Sequence, residues 1–213
     1  MSVRNIFSPK ATRIVRILLT NPEKEWSIFS LSDEAKTAYG HTYRVTKTLM
    51  KLALCRQTET SKVKVANPGE LLSRWAAYHD FSLLNDVDAY YSMERELDTL
   101  LGELPSVVKD GLRYALTLHA GASLTAPYVR PASLHIYIED EKEILVKRLG
   151  LQPTEMGGNV YLARPYDDGV FYGLQKVREV CIVSNIQLYV DLYNYPARGR
   201  EAAEHLRKEA IGF

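Results

Sequence analysis

Residues 42–65 read TYRVTKTLMKLALCRQTETSKVKV, and this stretch decides the predicted fold of the N-terminal part of the chain. Its first half, residues 42–54, has the apolar spacing of one helical face, formed by Val45, Leu49 and Leu52. Its second half alternates as two short segments, Arg56–Thr58 and Lys62–Val65, which indicates a β-hairpin. A helix followed by a basic hairpin is typical of the recognition helix and wing of a winged helix.

Two further helices are predicted upstream. Ser8-Pro9 opens the first, because serine is a good N-cap and proline fits the first helical position. A capping box that begins at Ser30 predicts the second, which ends near Thr37. The short segment 38–40 then separates it from the third helix. The order predicts a winged helix-turn-helix, the geometry that lays a helix into the major groove of DNA.

The charge of the chain is divided unevenly. Residues 1–66 contain twelve Lys and Arg and five Asp and Glu, a formal charge of +7. Residues 67–213 contain fifteen and twenty-one, a formal charge of −6. Because DNA attracts cations through its phosphates, the basic N-terminal part indicates a double-stranded DNA partner.

The predicted DNA contacts are polar side chains on the first helix, the third helix and the hairpin. Arg and Lys can donate to guanine edges or phosphates, and Thr can bond to either base or phosphate. The set consists of Arg13, Arg16, Thr42, Tyr43, Arg44, Thr46, Lys47, Lys51, Lys62 and Lys64.

The rest of the chain mixes helices and strands, so the predicted fold class is α+β (mixed α/β). Helical patterns cover 70–78 and an acidic stretch 90–104 that Pro105 interrupts, whereas Arg113–Thr117 fits helix or strand equally. Strands are predicted at 134–138, 160–163 and 180–183, and helices at 139–148, 186–194 and 199–210. The predicted domains are a winged helix over 1–68, a helical connector over 69–104 and a C-terminal α/β domain over 105–213.

One pattern in the C-terminal domain is typical of nucleotidyltransferases. In those enzymes a Gly-Ser turn, here residues 121–123, precedes a strand that carries two metal-binding carboxylates. The strand 134–138 has none, so we expect no catalytic activity, metal or cofactor. An enzyme that uses Glu139, Asp140 or His135 stays open as an alternative.

Arg198 and Arg200 flank Gly199 at the start of the last predicted helix. Guanidinium groups at a helix N-terminus could hold an anion, which would make the protein an anion- or nucleotide-sensing regulator. The two arginines could equally pair with the acidic body.

The tail Ser184–Leu206 contains Gln-Leu-Tyr-x-Asp-Leu and Arg-Gly-Arg-Glu-Ala-Ala. With the winged helix, this tail resembles the AbiEi family, transcriptional-regulator antitoxins of type IV toxin–antitoxin systems. The resemblance implies a repressor of its own promoter, paired with a nucleotidyltransferase-like toxin without a stable complex. It also implies that the C-terminal domain is a non-catalytic relative of nucleotidyltransferase folds.

Cellular location and assembly are read from weaker signals. Cys55 and Cys181 are far apart, which favours unpaired thiols in a reducing compartment. No apolar run approaches the roughly 20 residues of a membrane span, and the N-terminus has no apolar signal core, so we expect a cytoplasmic protein. A dimer on a palindrome and a monomer on repeated sites are equally compatible with the sequence.

Overall fold

The computed structural model describes residues 6–107 and 112–213, which form two compact units. Residues up to Tyr78, with Phe213, make the first unit, and His79–Gly212 make the second. Helices and strands occur in both, so the protein belongs to the predicted mixed α/β class. No helix within the described residues is long and apolar enough to cross a membrane.

From residue 6 onward, the described part of the first unit contains four α-helices and a hairpin. In chain order they are α1 (Pro9–Thr20), α2 (Ile28–Glu34), α3 (Tyr39–Lys51), β1 (Cys55–Gln57), β2 (Val63–Val65) and α4 (Pro68–Tyr78). The hairpin is antiparallel, with Cys55 opposite Val65 and Gln57 opposite Val63. Trp26 extends it, because its backbone N–H and C=O both bond to Val63, at 2.8 and 2.7 Å.

Two predicted helix boundaries in this unit are wrong. Ser27, rather than Ser30, caps α2, and its side chain accepts a hydrogen bond from the backbone N–H of Ser30. The segment 38–40 does not separate α2 from α3, because α3 already begins at Tyr39. Ala38 is its N-cap in an extended conformation, so Tyr39 and Gly40 already belong to the helix.

The second unit is a seven-stranded mixed sheet with helices. Its strands are β3 (Asp86–Tyr91), β4 (Tyr114–Leu116), β5 (Leu134–Ile138), β6 (Gln152–Pro153), β7 (Val160–Arg164), β8 (Gln175–Val177) and β9 (Val180–Ile182). The order is β6-β3-β7-β5-β4-β9-β8. Strands β5 and β7 run parallel, as do β4 and β9, and the other neighbours are antiparallel.

The helices of this unit are α5 (Phe81–Leu84), α6 (Leu97–Val107), α7 (Leu118–Thr125), α8 (Lys142–Arg148), α9 (Asn185–Tyr193) and α10 (Gly199–Leu206). Helices α7, α9 and α10 pack against one another, and α7 packs on β5. The chain continues from α10 through a π-helical turn, Arg207–Ile211. The predicted final helix over 199–210 is therefore confirmed apart from its wider last turn.

Several sequence predictions for this unit change. The acidic stretch near Tyr90 begins as strand β3, which pairs with β6 and β7. Pro105 lies inside α6 and does not end it. Residues 121–123, predicted as a turn, lie within α7. The segment that fitted helix or strand is strand β4, whose three side chains are all buried between β5 and β9.

Candidate nucleic-acid interface

Helix α3 presents a cationic and aromatic outer face. Tyr43, Arg44, Lys47 and Lys51 are exposed on it. The Lys47 ammonium lies 5.6 Å from the centroid of the Tyr43 ring, a distance at which the two attract each other. The sequence of α3, YGHTYRVTKTLMK, contains no acidic residue, so nothing on the helix itself neutralises this face.

The inner face of α3 carries two of the predicted DNA contacts. Thr42 and Thr46 are fully buried. The Thr42 hydroxyl lies 2.8 Å from that of Thr37, and the Thr46 hydroxyl donates to the Thr42 carbonyl at 2.9 Å. Both hydroxyls are used inside the protein, so neither side chain is at the surface where DNA would bind.

Arg16, a predicted DNA contact on α1, is also buried. Its exposed fraction is 0%, and its guanidinium donates to the Thr12 carbonyl at 3.3 Å. The same group lies 5.1 Å from the centroid of the Trp75 ring. The expectation of an outward-facing Arg16 is wrong because a ring on α4 covers the guanidinium.

A fourth cation, Lys10, joins this face from the N-terminal end of α1. His41, in the first turns of α3, has its pKa lowered by burial and then by the nearby positive charges of Arg44 and Lys10. Lys10 is exposed and therefore contributes to the same positive region. Arg13, the remaining predicted cation of α1, is half-buried and engaged in an interaction within the protein.

The hairpin offers fewer free cations than its sequence indicates. Lys62 is exposed, but the Lys64 ammonium lies 2.6 Å from a carboxylate oxygen of Glu23. The hydrogen bond and charge of Lys64 lower the pKa of Glu23. At the hairpin tip the Thr60 hydroxyl donates to Glu25 at 3.1 Å. Lys62 is thus the more available of the two predicted hairpin contacts.

Sequence reasoning missed Lys10 and Tyr39 as candidates for this interface. The side chain of Tyr39 is 56% exposed in the first turn of α3. Tyr39, Tyr43 and Lys47 have the spacing i, i+4, i+8, which puts them on one helical face. This spacing is visible in the sequence, but the predicted helix begins at residue 42 and therefore excludes Tyr39.

The second unit contains a fully buried polar centre at Asp191. One carboxyl oxygen lies 2.7 Å from His79 Nε2 and accepts from Gln187 at 2.8 Å and from the Tyr137 hydroxyl at 3.2 Å. The other oxygen accepts from the Thr117 hydroxyl at 2.6 Å. Burial and the nearby Asp191 raise the pKa of Tyr137 well above its usual value. Since all five groups are buried, this centre joins segments of the unit and presents no surface to a ligand.

His135 lies in an aromatic cluster beside this centre. Its ring stacks on Tyr161 with centroids 4.7 Å apart, and its Nε2 lies 2.9 Å from the Tyr195 hydroxyl. Its buried Nδ1 has no hydrogen-bond partner among the described residues. Burial, with a smaller effect of His119, lowers the pKa of His135 to about 4.

This pKa predicts a loss of stability in weak acid. Between pH 6.5 and 5 the unfolded His135 takes up a proton that the folded ring resists, so the unfolding free energy falls as pH falls. The contribution over this window is about 1–2 kcal/mol for a folded pKa near 4. Urea denaturation at several pH values measures it. His135→Gln cannot take up the proton and should show a shallower slope; an unchanged slope would contradict the assignment.

The carboxylates of the enzyme alternative lie beyond the end of β5. Glu139 pairs with Arg113 at 3.2 Å, and Asp140 is exposed. His135 is in the buried cluster described above, so the three residues do not form one site. Within residues 6–107 and 112–213, no group of three or more His, Cys, Asp or Glu side chains is arranged to hold a metal ion.

Arg198 and Arg200 contact different aromatic side chains. Arg198 donates to the Tyr128 hydroxyl at 3.1 Å, whereas the Arg200 guanidinium lies 4.4 Å from the centroid of the Tyr193 ring. The two guanidinium groups are exposed, and each has its own aromatic neighbour. A shared anion site for this pair stays a prediction.

The molecule is thus a two-unit α+β protein with a cationic helix face in its first unit. A family model described as transcriptional regulator, AbiEi antitoxin, type IV toxin–antitoxin system, matches residues 64–212. This match covers more than half of the chain, and the chain belongs to the AbiEi antitoxin family, as the tail indicated. No curated protein and no solved structure matches the chain significantly.

Proposed function

We propose that the first unit is a winged helix-turn-helix domain that binds double-stranded DNA. In this proposal the protein represses its own promoter as the antitoxin of a type IV toxin–antitoxin system. The outer face of α3 carries the proposal, because it exposes cations and a tyrosine and has no acidic residue. Family membership supports the regulatory role, since the family consists of transcriptional regulators.

Each element has a distinct role in the proposed complex. Helix α3 enters the major groove, where Arg44 and Lys47 donate to base edges and Tyr43 packs beside them. Lys51 contacts a phosphate, and Lys62 does so from the hairpin, which acts as the wing. Further phosphate contacts are assigned to Lys10, Arg13 and Lys64. We leave Arg16, Thr42 and Thr46 out, because their side chains are buried.

The proposal extends to the rest of the chain. The domain division into 1–68, 69–104 and 105–213 is modified so that α4 stays with the DNA-binding unit and β3 with the second. The second unit is proposed as a non-catalytic relative of nucleotidyltransferase folds. It acts against a nucleotidyltransferase-like toxin without a stable complex. A promoter-binding protein works where the DNA is, so we place it in the cytoplasm, as a monomer or a homo-oligomer.

The test is a fluorescence-anisotropy titration with the DNA upstream of the protein's own gene. Arg44→Gln/Lys47→Gln should weaken binding about thirtyfold or more, because each of the two cations contributes about 1–3 kcal/mol at a base edge. Because these two side chains contact bases and not phosphates, the double variant should bind with nearly the same salt dependence as the unmodified protein. Lys51→Gln should instead lower the slope of log K against log salt by about 0.9, the value for one phosphate contact.

A matched control removes two exposed cations of the second unit, as Lys147→Gln/Lys208→Gln. This double variant has the same net charge as Arg44→Gln/Lys47→Gln, so it separates position from overall charge. Its DNA affinity should stay within about twofold of the unmodified protein. Equal losses in the two double variants, with both folded by circular dichroism, would refute α3 as the recognition helix.

A further inference from the structure

A cleft of about 630 Å³ lies in the second unit, lined by residues of α6, α7, the segment 127–132 and the β8–β9 turn. Small-molecule sites have volumes of about 300–1,000 Å³, so this cleft has the size of one. Its charged lining consists of Arg95, Arg130 and Arg178 with two carboxylates, Glu96 and Asp98.

The three arginines are available for a ligand. All three are exposed, and none forms an ion pair with another side chain in the part of the chain that the structure describes. A guanidinium presents a planar fork of donors that matches phosphate oxygens, and it stays charged at every physiological pH. Their chemistry therefore fits a phosphate-bearing ligand.

The backbone at Arg178 is held in an unfavourable conformation. Arg178 and Glu179 form the two-residue turn between β8 and β9, with φ angles of 49° and 67°. Turns of this kind usually contain Asn and Gly, because a Cβ atom disfavours left-handed φ. An ion pair of 2.5 Å between Lys176 and Glu179 accompanies the turn. Strained residues are often retained for function, and here the strained residue supplies a guanidinium to the cleft.

Arg198 brings a fourth positive charge close to the cleft. It too has a left-handed backbone, with φ of 66°, and it donates to the hydroxyl of Tyr128, which lines the cleft. Its guanidinium lies 5.2 Å from the centroid of the Tyr128 ring. Arg200, which turns to Tyr193, is not among the lining residues.

The remaining wall is largely apolar and has the character of a surface for a planar ring. Leu97, Leu101, Leu124, Pro127 and Pro131 contribute to it. A bare inorganic anion would use the arginines but not this wall, and the two carboxylates would repel it. A ligand with both phosphates and a base would use the whole cleft, since hydroxyl and amino groups can donate to the carboxylates.

We propose that this cleft binds a nucleoside di- or triphosphate. The phosphates lie at Arg95, Arg130 and Arg178, and the base lies against the apolar wall. The proposal does not rest on DNA binding by the first unit, and it concerns a bound regulator, not a substrate.

Isothermal titration calorimetry of the full chain tests the proposal with ATP, GTP, CTP, UTP and pyrophosphate, each titrated separately. At least one nucleotide should bind about tenfold or more tightly than pyrophosphate, because only the nucleotide uses the apolar wall. Arg178→Asn should weaken that binding at least about tenfold, since one charge-assisted contact is lost. The same variant should unfold at an equal or higher temperature without ligand, because Asn tolerates left-handed φ.

Two controls separate this site from other positive regions. Lys208→Gln removes an exposed cation of the second unit that does not line the cleft, and it should leave nucleotide affinity unchanged. Arg44→Gln/Lys47→Gln should also leave it unchanged, whereas Arg178→Asn should keep its DNA affinity. The proposal is overturned if none of the four nucleotides binds, if pyrophosphate binds equally well, or if Arg178→Asn keeps full nucleotide affinity.

Discussion

Replacement of Asp191 by alanine is expected to lower the free energy of unfolding by about 3–5 kcal/mol. The carboxyl group accepts hydrogen bonds from Thr117, Tyr137 and Gln187 and lies against His79, all of them buried. Alanine would leave these polar groups without their shared acceptor, and a buried donor without a partner costs about 1–3 kcal/mol. Urea denaturation followed by far-UV circular dichroism measures the loss.

Asp140→Ala is the matched control for this prediction. Asp140 is an exposed carboxylate in the loop after β5, so its removal should change stability by less than about 0.5 kcal/mol. Thr117→Val should fall between the two, because it removes one donor and keeps the shape of the side chain. A loss below about 1 kcal/mol in Asp191→Ala would mean that the buried centre does not hold the second unit together.

Gly199→Ala is expected to destabilise the protein by about 3 kcal/mol, at the upper end of the range for overpacked sites. A Cβ atom at Gly199 would lie 2.3 Å from the Leu192 carbonyl oxygen and 3.1 Å from Tyr195 Cβ. The first neighbour is backbone at the end of α9, so it cannot move aside as a flexible side chain would. Helix α10 would have to separate from α9, with which it packs. Thermal and urea unfolding both report this change.

Gly102→Ala provides the opposite control in the same unit. Gly102 lies within α6, and an added Cβ atom would have no neighbour within 4 Å. Alanine there should raise stability by about 0.5–1 kcal/mol, because it favours the helix and loses less conformational entropy on folding. Equal effects at the two glycines would contradict the close approach of α10 to α9.

Asp191 and Gly199 both lie in the tail Ser184–Leu206, which carries the resemblance to the family. Its Gln-Leu-Tyr-x-Asp-Leu segment supplies Gln187 and Asp191 to the buried centre, and its Arg-Gly-Arg segment supplies Gly199 to a close helix contact. Residues 186–192 of this tail are all buried. The sequence alone could not reveal the role of Asp191, because its partners His79, Thr117 and Tyr137 are distant in sequence.

The spacing of apolar residues correctly predicted several helices and strands whose residues are close together in sequence. The apolar face of α3, the alternating hairpin and strand β5 were all recognisable from spacing alone. Strand β3 was not, because its sequence DVDAYY carries two aspartates, and aspartate is depleted in strands. Its pairing with β6 and β7 holds it in the sheet, and those contacts are long-range.

The candidate interface was predictable only in part, because contacts with elements distant in sequence decide which side chains are exposed. A helical wheel separates an apolar stripe from the rest, but it does not identify which of the remaining positions a neighbouring element covers. Thr42 and Thr46 flank the stripe and become buried with it, and Arg16 is covered by Trp75 from α4. Tyr43, Arg44, Lys47 and Lys51 are exposed as expected.

The chain has two tryptophans, and both lie in the first unit: Trp26 bonds to the hairpin at Val63, and Trp75 lies over Arg16. Intrinsic emission excited at the red edge of the absorption band therefore originates in the unit that we propose binds DNA. The Lys24 ammonium sits 3.6 Å from the Trp26 ring centroid, so emission responds to the charge environment beside the hairpin. Far-UV circular dichroism reports the backbone of both units. If its denaturant transition coincides with that of the tryptophan emission, the two units unfold together; if the transitions differ, they unfold separately.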